Sequence, residues 1–130
     1  MKPKTLIAVV AYNEEKNIRA VLEDLSQQNY GYDIIVIDNS SYDDTLSLCR
    51  EFGVKAVTHC INSEISGTWK TYFLYSYLND YDIVCQFDGD GQHIASELPK
   101  ILNPIYENRA NQVVGSRFIE RKGFQSFFFR

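Results

Sequence analysis

The stretch Ile83-Val84-Cys85-Gln86-Phe87-Asp88-Gly89-Asp90-Gly91-Gln92-His93 decides the fold. It is a short apolar run that stops at two carboxylates separated by one glycine. A run of this length without polar alternation suits a strand buried on both faces of a parallel sheet. Such strands deliver their C-terminal ends to a crevice, where open α/β sheets bind ligands. Asp88 and Asp90 lie two apart, so an extended backbone would point both side chains the same way. Two converging carboxylates suit a hard divalent cation. Magnesium takes one or two of them and completes its shell with water and phosphate oxygens. The expectation is a metal-diphosphate site at the end of a central strand.

The rest of the chain supplies the sheet. Leu6–Val10 and Ile34–Ile37 are further apolar runs, each ending in polar residues: Tyr12-Asn13-Glu14 after the first, Asp38-Asn39-Ser40-Ser41 after the second. Ile18, Val21, Leu22 and Leu25 recur at helical spacing, with Asn13 as expected N-cap and Glu14 and Glu15 in the first turn. A second helix is expected near 43–52, stopped by Gly53. Val54–Thr58 reads as a weaker strand, and Asn62–Gly67 as a polar loop before an aromatic helix from about Thr68 to Leu78. A fourth helix is expected to start within His93–Ser96 and to kink or end early at Pro104. Gln112–Gly115 reads as a fifth strand. Alternating strands and helices predict an α/β fold, with a mostly parallel sheet, right-handed crossovers and helices on both faces.

Composition narrows the function. The chain has 130 residues, 45% of them hydrophobic, which is enough for one domain with a core. A net charge of -4 argues against a general nucleic-acid partner, which needs a cationic face, but not against one bound nucleotide. Cys49, Cys60 and Cys85 are scattered and odd in number. Cys49 and Cys85 read as buried small hydrophobes in a reducing compartment. With no leader-like or membrane-spanning run, the chain reads as cytoplasmic.

Each polar strand end also has a structural reading. Ser41 in Ser41-Tyr42-Asp43-Asp44 fits a capping box, and Asp88-Gly89-Asp90-Gly91 fits a tight turn. Their coincidence at three strand ends favours function. The set Ala11-Tyr12-Asn13-Glu14-Glu15, then Val36-Ile37-Asp38-Asn39-Ser40-Ser41 with Asp43 and Thr45, then Phe87-Asp88-Gly89-Asp90-Gly91-Gln92-His93 and Val114-Gly115-Ser116-Arg117-Phe118, resembles family 2 glycosyltransferases of the GT-A fold. The resemblance is greatest to dolichyl- and polyprenyl-phosphate sugar transferases.

That resemblance implies a three-layer, Rossmann-like nucleotide-binding core over residues 1–118 and a UDP- or GDP-sugar donor. By motif position Tyr12, Glu14 and Asp38 would hold base and ribose, with backbone contacts near Ala8 and Val10. Asp88 would face the ribose or a metal-bound water. Asp90 would ligate Mg²⁺ or Mn²⁺, making Asp88 and Asp90 the metal pair. Gly89 would let the donor approach the backbone, and Gln92 would contact the phosphates. The implied acceptor is a polyprenyl phosphate or a glycan, which puts the chain at the inner face of a membrane. No residue matches the family's catalytic base, which the resemblance places in an acceptor half beyond this stretch. His93 belongs to the metal loop rather than to that role. Asn39 and Ser40 stand where the family often has aspartate and glycine, and Lys70 is the nearest substitute for a basic residue usual after position 62. The basic, Phe-rich tail 119–130 reads as packing on the missing half. Its other readings are peripheral membrane contact or, left exposed, a homo-oligomer. The competing classes are a non-catalytic nucleotide-binding or assembly module of the same fold, and a different α/β class, such as a receiver-like or phosphoryl-transfer domain using clustered aspartates for Mg²⁺, in which Tyr12-Asn13-Glu14 would have no role.

Overall fold

The computed structural model describes residues 3–116. The expectations for the tail at 119–130, and for Arg117 and Phe118, lie outside these residues. The described chain forms two compact units, one reaching to Ala95 and the other starting at Ser96.

The first unit is a parallel sheet of β1 (Thr5–Ala11), β2 (Asp33–Asp38), β3 (Lys55–Thr58) and β4 (Ile83–Asp88), in the order β3-β2-β1-β4. Helices α1 (Ile18–Gln27), α2 (Thr45–Phe52) and α3 (Glu64–Leu78) fill the connections. β1 and β2 are the central strands. β4, expected to be central, is an edge strand among the described residues, and its burial alternates accordingly: Ile83, Cys85 and Phe87 are buried, whereas Val84, Gln86 and Asp88 are partly exposed.

Register explains which side chains meet. Val10 pairs with Ile37 and Asp88, while Ala11 pairs with Asp38. One sheet face therefore carries Leu6, Ala8, Val10, Ile35, Ile37 and Val84, packed with Tyr72 of α3. The other carries Ile7, Val9 and Val36, fully buried on the side where α1 contributes Ile18, Val21, Leu22 and Leu25. Cys49 and Cys85 are buried free thiols, as expected. Burial pushes both up to about 11, with the charge of Asp38 adding at Cys49.

Three helix starts in the first unit differ from the sequence reading. Asn13 does not cap α1: it holds φ 54, and the helix begins at Ile18 after a turn in which the Glu14 carbonyl accepts from Asn17 and Ile18. Ser41 does not cap α2, because its hydroxyl is taken by another loop, as described below. α3 begins at Glu64 rather than Thr68, so the supposed polar loop is its first turn. It takes in Gly67, where a Cβ would stand 2.0 Å from Ser63 Oγ. Only glycine lets that turn close over Ser63. α3 also inverts the usual amphipathic pattern: Thr68 and Ser76 are buried beside Tyr72, while Trp69, Phe73 and Tyr77 are exposed.

A 3-10 turn, Ala95–Glu97, leads into α4 (Leu98–Tyr106) of the second unit, so the helix starts later than expected. It closes two residues after Pro104. The expected fifth strand does not form, since residues 112–115 have no ladder partner. Apolar propensity alone does not hold a strand, and Val114 is 79% exposed. No helix among the described residues is long and apolar enough to cross a membrane.

Candidate functional site

The C-terminal ends of β1 and β4, the start of α3 and the turn after β2 surround an open cleft of about 480 Å³. Val10, Tyr12, Glu14, Asn39, Asn62, Glu64, Ile65, Thr68, Gln86, Asp88, Gly89 and Asp90 line it together with Ala11. Six of the residues singled out from sequence thus meet in one place: Val10, Tyr12, Glu14, Asp88, Gly89 and Asp90. Three do not line it. Ala8 is fully buried in the sheet, Gln92 lies on the exposed loop beyond Asp90, and Asp38 is fully buried. Lys70 is exposed on α3 and does not reach the lining either.

Asp38 is separated from Asp88 by register: their β1 partners, Ala11 and Val10, are adjacent and face opposite sides of the sheet. Its carboxylate accepts the Thr58 hydroxyl at 2.6 Å and the Ser41 N–H at 3.2 and 3.3 Å. A buried carboxylate needs such donors, because an unpaired charge away from water is costly. Its neighbour Asn39 is also buried, but it reaches the cleft. Asn39 Oδ1 accepts from the Ser63 N–H and hydroxyl, and Nδ2 donates to Asn62 Oδ1 at 3.0 Å. Asn39 thereby ties the turn after β2 to the first turn of α3. His59 joins this knot, with Nδ1 3.0 Å from Asn39 Oδ1 and Nε2 2.7 Å from Thr71 Oγ1.

The other motif residues lace two loops together. Asn13 N–H donates to Ser41 Oγ at 2.9 Å, and its own Oδ1 accepts from the Tyr42 N–H. Glu14 N–H donates to Thr45 Oγ1 at 2.8 Å, and Glu15 N–H to Asp43 Oδ2 at 3.1 Å. Burial works against the Asp43 charge, yet bonds from the Thr45 hydroxyl, Thr45 N–H and Glu15 N–H outweigh it and hold the carboxyl below 3.8. Loops that lack a ladder have their backbone donors satisfied this way. They present Tyr12, edge-on to Tyr42, and Glu14, anchored by Asn17 Nδ2, at the cleft.

β4 ends at Asp88, and Gly89 and Asp90 form a turn rather than an extension of the strand. Both carboxylates line the cleft from this turn. A Cβ on Gly89 would stand 3.0 Å from the Val10 carbonyl, to which Gly89 N–H donates at 2.8 Å. Glycine therefore lets the turn lie flat against β1. Asp90 Oδ1 accepts the Gln92 N–H. Asp88 is held on both oxygens: Oδ1 accepts from Gln86 Nε2 at 2.8 Å, and Oδ2 lies 3.5 Å from His93 Nε2. Because His93 Nδ1 accepts the Asp88 N–H at 3.0 Å, the neutral ring carries its proton on Nε2, facing that carboxylate.

The sequence reading missed Gln86 and Asn39 as cleft residues. Gln86 was legible: it is the polar residue in an apolar run, and lies two before Asp88 on the same face. Asn39 was not, since its partners Asn62 and Ser63 lie over twenty positions away.

The cleft is strongly acidic. Glu14, Glu64, Asp88 and Asp90 line it, and among the described residues no lysine or arginine does. Among the described residues no cluster of three or more His, Cys, Asp or Glu side chains could hold a metal by itself. The Asp88–Asp90 pair instead fits a magnesium- or manganese-like ion that takes its remaining ligands from water and a phosphate.

Comparison with known proteins places the chain in a family and a fold. A dolichyl-phosphate N-acetylglucosaminyltransferase of Methanococcus voltae that uses UDP-N-acetylglucosamine is 33% identical, over 92% of this chain and 54% of its own. A mannosyltransferase of Pyrobaculum calidifontis solved with GDP-mannose and Mn²⁺ superposes with TM-score 0.63 at 22% identity, covering 69% of this chain and 28% of that one. Glucosyl-3-phosphoglycerate synthase of Mycobacterium tuberculosis, solved with Mn²⁺, UDP-glucose and phosphoglyceric acid, superposes with TM-score 0.66 at 24% identity, covering 80% and 39%. These two likenesses show the GT-A fold. The chain spans about half the length of the first curated relatives it matches. Residues 6–129 match the model of glycosyl transferase family 2, and it is to this family that the chain belongs.

Proposed function

We propose that this chain is the donor-binding part of a metal-dependent transferase that moves a sugar from a nucleoside diphosphate to a polyprenyl-phosphate or glycan acceptor. The observation that carries the reading is the acidic cleft. Among the described residues, a diphosphate entering beside Glu14, Glu64, Asp88 and Asp90 would meet carboxylate repulsion, unless a cation stood between the two. Asp88 and Asp90 would hold that cation. When bound, Mg²⁺ or Mn²⁺ supplies Lewis-acid stabilisation of the departing nucleoside diphosphate.

The chain's own residues then divide the work. Tyr12, half-exposed at the cleft mouth, offers a ring face to the base, and Glu14 offers an acceptor to the ribose. Asp38 acts from beneath, fixing the turn that carries Asn39. Gly89 brings the backbone of the Asp88–Asp90 turn close to the diphosphate. The relative from Methanococcus voltae supports a lipid-phosphate acceptor, which would place the reaction at a membrane surface. The base for the acceptor proton is expected outside the described residues.

A thermal-shift panel of UDP- and GDP-sugars, with Mn²⁺ or with EDTA, tests the reading. One donor should raise the melting temperature in Mn²⁺ alone, because a ligand that binds only the folded state stabilises it. Asp90→Ala should abolish that shift. No stabilisation by any donor in Mn²⁺ would reject the proposal, and binding without transfer or hydrolysis in a full-length relative would favour the non-catalytic module.

A further inference from the structure

The geometry points to Gln86 as a positioning residue: clamped by Trp69 and Tyr72 of α3, it aims the Asp88 carboxylate for cation binding and links the register of α3 to the metal site. This inference rests on the donor-site reading above and names a part of the site that lies behind its two carboxylates.

Gln86 Oε1 accepts from Trp69 Nε1 at 2.8 Å and from the Tyr72 hydroxyl at 3.2 Å. An indole N–H is a donor only, so the atom facing it must be the amide oxygen. The orientation of the amide is thereby fixed, and its NH₂ group is turned toward Asp88 Oδ1, 2.8 Å away. Burial pushes the Tyr72 hydroxyl up, with Cys85 and Asp88 adding to the effect, so it remains a donor at neutral pH.

The consequence concerns which lone pairs are left for a ligand. A free carboxylate rotates, whereas this one has Oδ1 tied to Gln86 and Oδ2 faced by His93. Hydrogen-bonded partners behind a ligating carboxylate set its orientation, and their loss typically weakens metal binding about 10- to 100-fold. The same helix that carries Trp69 and Tyr72 places Glu64, Ile65 and Thr68 in the cleft wall. A ligand pressing on that wall and a cation on Asp88 therefore report to each other through Gln86. Trp69 is 47% exposed, yet its N–H is held by Gln86 Oε1.

The test is Mn²⁺ binding followed by the loss of the free-ion electron paramagnetic resonance signal, in the presence of UDP or GDP. Gln86→Met keeps the volume and removes the amide. Trp69→Phe keeps an aromatic ring and removes one donor, leaving Tyr72 in place. Gln86→Met should weaken Mn²⁺ binding about tenfold or more, and Trp69→Phe about two- to tenfold, as for one hydrogen bond lost. Each variant loses hydrogen bonds, so its melting temperature without ligand should fall by several degrees, but metal-free binding of the nucleoside should fall much less than Mn²⁺ binding does. Wild-type protein that takes up no Mn²⁺ would overturn the donor-site reading and this inference together. Wild-type binding with an unchanged Gln86→Met affinity would overturn the role of Gln86 alone. Loss of Mn²⁺ binding and of metal-free nucleoside binding in equal proportion would make Gln86 a folding residue, and would also overturn it.

Discussion

Replacing Thr58 with valine removes one hydroxyl from beneath the cleft, and the cost can be worked out. The Thr58 hydroxyl has a single proton and two acceptors in range: Asp38 Oδ2 at 2.6 Å and the His59 carbonyl at 3.4 Å. The shorter, charge-assisted bond takes it. In Thr58→Val, Asp38 Oδ2 keeps only the Ser41 N–H at 3.2 Å, within a fully buried carboxylate. Hydrogen bonds to charged groups contribute about 1.5–3 kcal/mol. Thr58 itself is exposed, so water replaces part of the loss, and a cost of about 1–2 kcal/mol is expected. For a chain of this size that lowers the melting temperature by about 4–8 °C. Valine keeps the β-branched shape and the strand preference, which isolates the hydroxyl. Urea denaturation measures the change directly. A loss below about 0.5 kcal/mol, the scatter of ordinary surface substitutions, would refute the claim that Thr58 holds Asp38.

Other outcomes follow from the same contacts. Gly67→Ala should destabilise by about 1–3 kcal/mol despite the better helix propensity of alanine, because the new methyl lands on Ser63 and breaks its bonds to Asn39; a melting curve at or above wild type would contradict this. Ellman's reagent near pH 8 should modify Cys60 quickly and the buried Cys49 and Cys85, pushed up to about 11, only after denaturation. Burial and the bond to Asp33 raise the Tyr81 hydroxyl from 10.0 to about 12, so its contribution to stability is complete below pH 10 and fades as pH rises through 12. Tyr81→Phe should flatten that alkaline limb in a pH series of melting temperatures, and an unchanged limb would remove Tyr81 as its source.

The sheet was legible because buried parallel strands are written as apolar runs: β1 and β2 are unbroken ones, and β4 is one interrupted by Gln86. The cleft was legible in outline for a related reason: polar residues that cut off those runs collect at one end of the sheet. What the runs do not encode is which face each end side chain takes. Asp38 and Asp88 look equivalent in sequence, yet a one-residue offset in pairing against β1 sends them to opposite sides. The helix starts were misread where distant partners overrode local preference. Asn13, Ser41 and Asp43 have the composition of caps, but Asn13 and Ser41 bond across the two loops, and Asp43 takes the Glu15 N–H as well as that of Thr45. The fifth strand was expected from propensity alone, without a partner to pair with. Gln86 shows the converse: period-two spacing pointed to it, and the apolar character of its neighbours hid it.

The central claim is that Asp88 and Asp90 hold a cation which lets a nucleoside diphosphate enter an acidic cleft. Anomalous diffraction from crystals grown with Mn²⁺ and UDP or GDP tests it most directly. The account predicts one manganese peak within coordination distance of Asp90 and of Asp88 or a water on it, with the diphosphate on its open side and the base near Tyr12. A nucleotide bound elsewhere, or bound in this cleft with no metal beside Asp90, would contradict it.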